Sequence, residues 1–211
     1  MSTGYETNGR IAQKRRTRDA LVAAARDLVA QGLTPTVEAA AEAASISRTT
    51  AYRYFASQGA LLAAAHPETA WQSALPEDPP HDVAARLDLV FEATSKMLLD
   101  TEPQQRTMLR LSLEAGPEER AQLPLRQGRV IKWLEEALEP LEESMAVEDR
   151  HRLALAIRSA TGIEALAWLT DVGGLSRTDA VELMRWSARA MLDAARADAS
   201  QSSRARRQRR R

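Results

Sequence analysis

Helix start and stop signals crowd into residues 32–57, and they decide what this part of the chain can become. Gly32 is a residue favoured just past a helix end, so it closes a first helix expected over residues 11–31, whose Leu21, Ala24, Ala25 and Leu28 share one face. Thr36 then restarts the chain as the N-cap of a second helix over 37–44, its side-chain oxygen accepting a backbone N–H. Ser45-Ile46-Ser47 is the next turn. Ser47 caps a third helix over 48–55, and Ser57 caps a fourth over 58–65. No stretch anywhere alternates apolar and polar residues long enough to read as a strand, whereas helical periodicity runs nearly throughout, so the fold expected is all-α.

Beyond the fourth helix the chain loosens over residues 66–82, which contain Pro67, Pro76, Pro79 and Pro80. Longer helices are expected after it, over 82–100, 103–115, 123–141, 147–172 and 177–197, with Gly173-Gly174 ending the fourth of these and Ser176 capping the last. The organisation that follows is a helix-turn-helix domain over 11–65, a larger helical domain over 66–199, and a disordered basic tail over 200–211.

Charge divides the chain in the same way. The 29 Lys and Arg balance 29 Asp and Glu, but residues 1–62 hold eight basic side chains against five acidic, and the tail from Ser203 holds six arginines and no acid. The middle is therefore acidic. Basic ends on an acidic body suggest that an end meets nucleic acid.

Two short helices joined by a tight turn form a helix-turn-helix, in which the second helix enters the DNA major groove. Here that helix opens with Arg48-Thr49-Thr50, which can meet base edges: arginine pairs bidentately with guanine, and threonine touches a thymine methyl or a base acceptor. Tyr52, Arg53 and Tyr54 follow where the helix passes the sugar-phosphate backbone. The helix N-termini at Thr36 and Ser47 offer backbone N–H groups to phosphate. Lys14-Arg15-Arg16-Thr17-Arg18, ahead of this motif, adds basic charge. A capped helix with exposed Arg and Thr as an ordinary solvated face is the alternative.

Residues 18–62 resemble the N-terminal DNA-binding domain of the tetracycline-repressor (TetR) family of bacterial transcriptional regulators. The likeness rests on LVAQGL at the end of the first helix, Thr36-Val37, Ala41, the turn SIS, and TTAYRYFASQGALL. The resemblance implies that Thr36, Tyr52 and Tyr54 touch phosphates and that Arg48, Thr49, Thr50 and Arg53 lie on the recognition helix. Two positions depart from the family pattern: Ser45 stands where glycine is usual in the turn, and Gln58 where lysine is usual. A left-handed turn residue costs serine roughly 1 kcal/mol more than glycine. Losing the lysine removes a phosphate contact.

The resemblance also implies a C-terminal helical domain that dimerises and, in many members, binds a small-molecule effector. Read by themselves, residues 147–172 and the last helix are apolar nearly all round, so both are expected to be buried on more than one side, in a twofold homodimer or in a monomer core. Phe91, Met97, Met108, Leu111, Trp133 and Trp168 are candidate walls of a ligand pocket, with core packing as the alternative for each. Glu164, between Ala160 and Trp168 on an apolar helical face, needs a partner: a ligand, or an arginine such as Arg110 or Arg129.

Nothing points to catalysis. His66, His81 and His151 are scattered, no Gly-rich phosphate loop or nucleophile elbow occurs, and there is no cysteine. No metal or cofactor is expected. The cysteine-free chain, without an apolar signal core at residues 1–19, is expected in the cytoplasm, with no membrane partner. The reading that follows is a repressor homodimer on double-stranded, palindromic operator DNA, released by an effector. The alternative is a helical adaptor with nonspecific contacts through the first domain or the arginine tail.

Overall fold

A computed structural model describes residues 3–66, 72–114, 116 and 128–208, with backbone alone for 3–8, 10 and 202–208. Among the described residues there are helices and turns and no strand. The helices are α1 (Thr3–Ala30), α2 (Val37–Ala43), α3 (Arg48–Tyr54), α4 (Gln58–Ala65), α5 (Val83–Asp100) and α6 (Glu102–Glu114). They continue with α7 (Arg129–Ala137), α8 (Val147–Thr161), α9 (Ile163–Ala167) and α10 (Arg177–Gln208). The chain divides into two compact units, one of Met1–Ala70 with Asp100–Gln127 and one of Trp71–Leu99 with Gly128–Arg211.

The first unit is built by its caps. Thr36, Ser47 and Ser57 accept the backbone N–H groups of Ala39, Thr50 and Ala60, each at 3.2 Å, and so satisfy donors that α2, α3 and α4 would leave unpaired. The far end of α4 is closed by side chains from other helices: Arg26 Nε donates to Ala65 O at 3.1 Å, and the fully buried Gln104 donates to Leu62 O. That second bond places α6 in the first unit, past the domain break expected at residue 65. Leu21, Ala25, Val37, Ala41, Ala51, Phe55 and Leu61 form the core between the helices. Burying a leucine such as Leu21 or Leu61 completely is worth about 1.5–3 kcal/mol.

The turn from α2 to α3 is a Schellman motif. Ser45 N–H donates to Glu42 O at 3.0 Å and Ile46 N–H to Ala41 O at 2.8 Å, closing the last turn of α2. The motif needs a left-handed residue between those two bonds, and Ser45 holds it at φ 54°, the one non-glycine residue with positive φ among those described. The same motif ends α1. There Gly32 (φ 78°) donates to Val29 O at 2.9 Å and Leu33 to Leu28 O at 3.0 Å. One device thus closes both α1 and α2, once with glycine and once with serine.

The second unit packs α5, α7, α8 and α10 around Leu87, Val90, Trp133, Leu138, Ile157 and Leu192. Asp82 caps the start of α5 by accepting from Ala85 N–H at 2.9 Å. Asp88 on α5 takes two bonds from Arg189 on α10, one of them Nε to Oδ1 at 3.0 Å, and this pairing holds the Arg189 guanidinium above its usual pKa. Three expected helices differ here. The one expected over 123–141 is, within the described residues, α7 alone: it stops at Ala137, and Pro140 sits in a 3-10 turn, Glu139–Leu141. Proline lacks the N–H that a continuing helix needs and clashes with the carbonyl four residues back. The one expected over 147–172 breaks at Gly162, which is extended (φ −100°, ψ −174°), then resumes as α9 and a π turn, Trp168–Val172. The last runs on from Ala197 to Gln208, so most of the tail expected to be disordered is helical, consistent with the high helix propensity of its alanines and arginines. Residues 147–172 match a membrane span by length and composition. The helix breaks at Gly162, however, and Leu153, Ala154, Ile157 and Leu166 on it are buried.

Candidate nucleic-acid interface

Helix α3 is only seven residues long, yet its two sides differ sharply. Ala51 is fully buried, with Phe55 behind it at the cap, so the helix is anchored from one side. Arg48, Thr49, Tyr52 and Arg53 are exposed on the other. Thr50 and Tyr54 are half-buried. Thr50 Oγ1 accepts the Ser47 hydroxyl at 2.9 Å, and Tyr54 packs against the core. Thr36 and Ser47 are exposed at the starts of α2 and α3, their side-chain oxygens engaged as caps. The eight residues expected at DNA thus lie on two consecutive helices, and six of them are solvent-facing. Lys14, Arg15, Arg16 and Arg18 are exposed on α1, with the Arg18 guanidinium 5.5 Å from the centre of the Phe55 ring.

The residue that organises the exposed face is one the sequence reading passed over. Glu38, second in α2, accepts from Arg48 Nη2 and from the Tyr52 hydroxyl, both at 2.6 Å and both on Oε1. The Arg48 guanidinium also lies 6.0 Å from the centre of the Tyr52 ring. The Tyr52 hydrogen bond, Glu38's own backbone N–H and the Arg48 charge hold the Glu38 carboxyl below the usual carboxylate value. The same hydrogen bond pushes the Tyr52 phenol above its usual value. Acid and base lie on different helices on either side of the turn, so no within-helix spacing rule could have found the pair.

Gln58, where the resemblance led us to expect lysine, is half-buried and donates to Pro35 O at 3.2 Å and Thr34 O at 3.4 Å. It ties the start of α4 to the loop before α2.

The five residues expected at a ligand fall in both units. Phe91 and Trp133 are buried in the second unit; Arg185 lies 5.1 Å from the Phe91 ring centre, and the Trp133 indole donates to Gln72 O at 3.1 Å. Met108 is buried in the first unit. Glu164 does not sit on an apolar face: the break at Gly162 resets the helical register, leaving it exposed and paired with Arg158 Nη1 at 3.3 Å rather than with Arg110 or Arg129. Trp168 is 60% exposed. A separate open groove of about 520 Å³ lies along α8 and α10, lined among others by Met145, Asp149, Arg152, Leu153 and Asp198. Leu155 on α8 and Leu183 and Trp186 on α10 are also exposed.

No family model and no curated protein matches the sequence. Among solved structures the chain is similar to a TetR transcriptional regulator from Rhodococcus sp. RHA1, at 19% identity and a TM-score of 0.56 over 84% of this chain and 96% of that one. The likeness establishes the all-α fold.

Proposed function

We propose that this chain is a DNA-binding transcriptional regulator that reads an operator through α3. The observation that carries the reading is the two-sided α3: pinned inward by Ala51 and Phe55, held by capped ends and a Schellman turn, and presenting Arg48, Thr49, Tyr52 and Arg53 to solvent. Two guanidiniums and the Thr49 hydroxyl on an anchored helix suit base edges and phosphates in a major groove. The TetR name of a protein with the same fold supports the assignment.

The active form is a twofold homodimer, which sets two copies of α3 on half-sites a helical turn or more apart. Leu183 and the 67%-exposed Trp186, three residues apart on α10, together with Leu155, are the large apolar groups that pairing would cover. The regulator is a repressor, released when an effector in the helical body favours a dimer whose reading heads no longer fit the operator. The groove along α8 and α10 has the volume of a small-molecule site.

Selecting bound fragments from the source genome, followed by gel shifts with competitor DNA, tests the reading. A regulator retains a preferred, near-palindromic site under competition, and Arg48→Ala relaxes that preference. Binding with no preferred site would sink the proposal and favour a nonspecific adaptor.

A further inference from the structure

We propose that Glu38 is a positioning residue that holds Arg48 for base reading and so helps to set the DNA sequence the chain prefers, an inference that rests on the DNA-binding reading above. Arg48 begins α3 and its side chain is 73% exposed, so without a partner it would sample many rotamers. Holding a long side chain before its ligand arrives removes ordering entropy from the binding step. Glu38 holds Arg48 in place through Nη2 at 2.6 Å, and the Tyr52 ring lies beside the guanidinium. A guanidinium carries five N–H donors, so this contact leaves enough of them for O6 and N7 of one guanine.

Tyr52 has a second part in the arrangement. Its single hydroxyl proton goes to the same Glu38 oxygen that Arg48 bonds, which gives the carboxylate a second tie to α3 and engages that proton in the free chain. In the free chain Tyr52 therefore acts through Glu38.

A carboxylate on a DNA-facing surface also opposes binding to any phosphate backbone. Its retention beside Arg48 makes physical sense if it returns discrimination for the affinity it removes. The two effects have opposite signs on removal, which gives the proposal its test.

Binding-site selection and competition binding are compared for the full-length protein, Glu38→Ala, Arg48→Ala and the double variant. Glu38→Ala is expected to lose roughly tenfold or more discrimination at one base pair, the one that Arg48→Ala also relaxes. It should bind random DNA as tightly as the parent or more tightly, which also shows that it is folded. The double variant should discriminate no worse than Arg48→Ala alone. Uniformly tighter or uniformly weaker binding with the base preference intact would overturn the proposal, as would relaxation at a base pair that Arg48→Ala leaves alone. A parent protein without any preferred site would overturn both this and the DNA-binding reading.

Discussion

Replacing Ser45 by glycine should stabilise the first unit. Ser45 sits at φ 54°, is exposed, and its side chain caps neither α2 nor α3, so the substitution changes little beyond backbone freedom. A left-handed conformation costs an L-residue roughly 1–2 kcal/mol, a penalty glycine escapes. Against this, glycine gives the unfolded chain more freedom, about 0.4–1 kcal/mol. The net expectation is a gain of roughly 0.5–1 kcal/mol. Gly32 provides the reverse experiment in the same motif: an added Cβ there meets nothing within 4 Å, so Gly32→Ala imposes only the conformational penalty and should destabilise.

The assay must be chosen for where the reporters lie. All four tryptophans are at residue 71 or later, whereas all three tyrosines are at residue 54 or earlier, so tryptophan fluorescence follows the second unit. Amide hydrogen exchange resolved to peptides covering α2 and α3 reads the first unit directly. Ser45→Gly should slow exchange there by about two- to fivefold, the equivalent of that free energy, and Gly32→Ala should speed it. Faster exchange in Ser45→Gly, or none of the expected loss in Gly32→Ala, would refute the strain argument.

Gln58→Lys should add a phosphate contact and steepen the dependence of log affinity on log salt by about one, while loosening the loop at Thr34 and Pro35 that the amide now holds; salt titration and hydrogen exchange check the two parts. Trp186→Glu should convert a dimer to a monomer in sedimentation, because a carboxylate would occupy the centre of the proposed interface; an unchanged sedimentation coefficient would move the interface elsewhere. Gly173→Ala should destabilise the second unit by roughly 1–3 kcal/mol, since the new Cβ would lie 2.6 Å from the Leu169 carbonyl oxygen, and tryptophan-detected unfolding measures it.

The sequence by itself determined residues 32–65 in most of their detail. Thr36, Ser47 and Ser57 cap the helices expected of them, and α4 spans the expected residues, because a cap or a turn is a contest among a few neighbouring backbone groups that local residue types decide. Ser176, accepting from Asp179 N–H at 3.1 Å, belongs to the same category. Even the departure from glycine at Ser45 was legible, since the turn demands a left-handed residue whatever occupies it. Tertiary structure decided the rest. The register across Gly162, which sent Glu164 outward to Arg158, depends on how α8 and α9 pack. The assignment of α6 to the first unit turns on a buried amide meeting a carbonyl forty-two positions earlier in the chain. Glu38 joins Arg48 and Tyr52 only because the turn folds α2 against α3, and a charge pair made across a turn leaves no periodic trace in sequence.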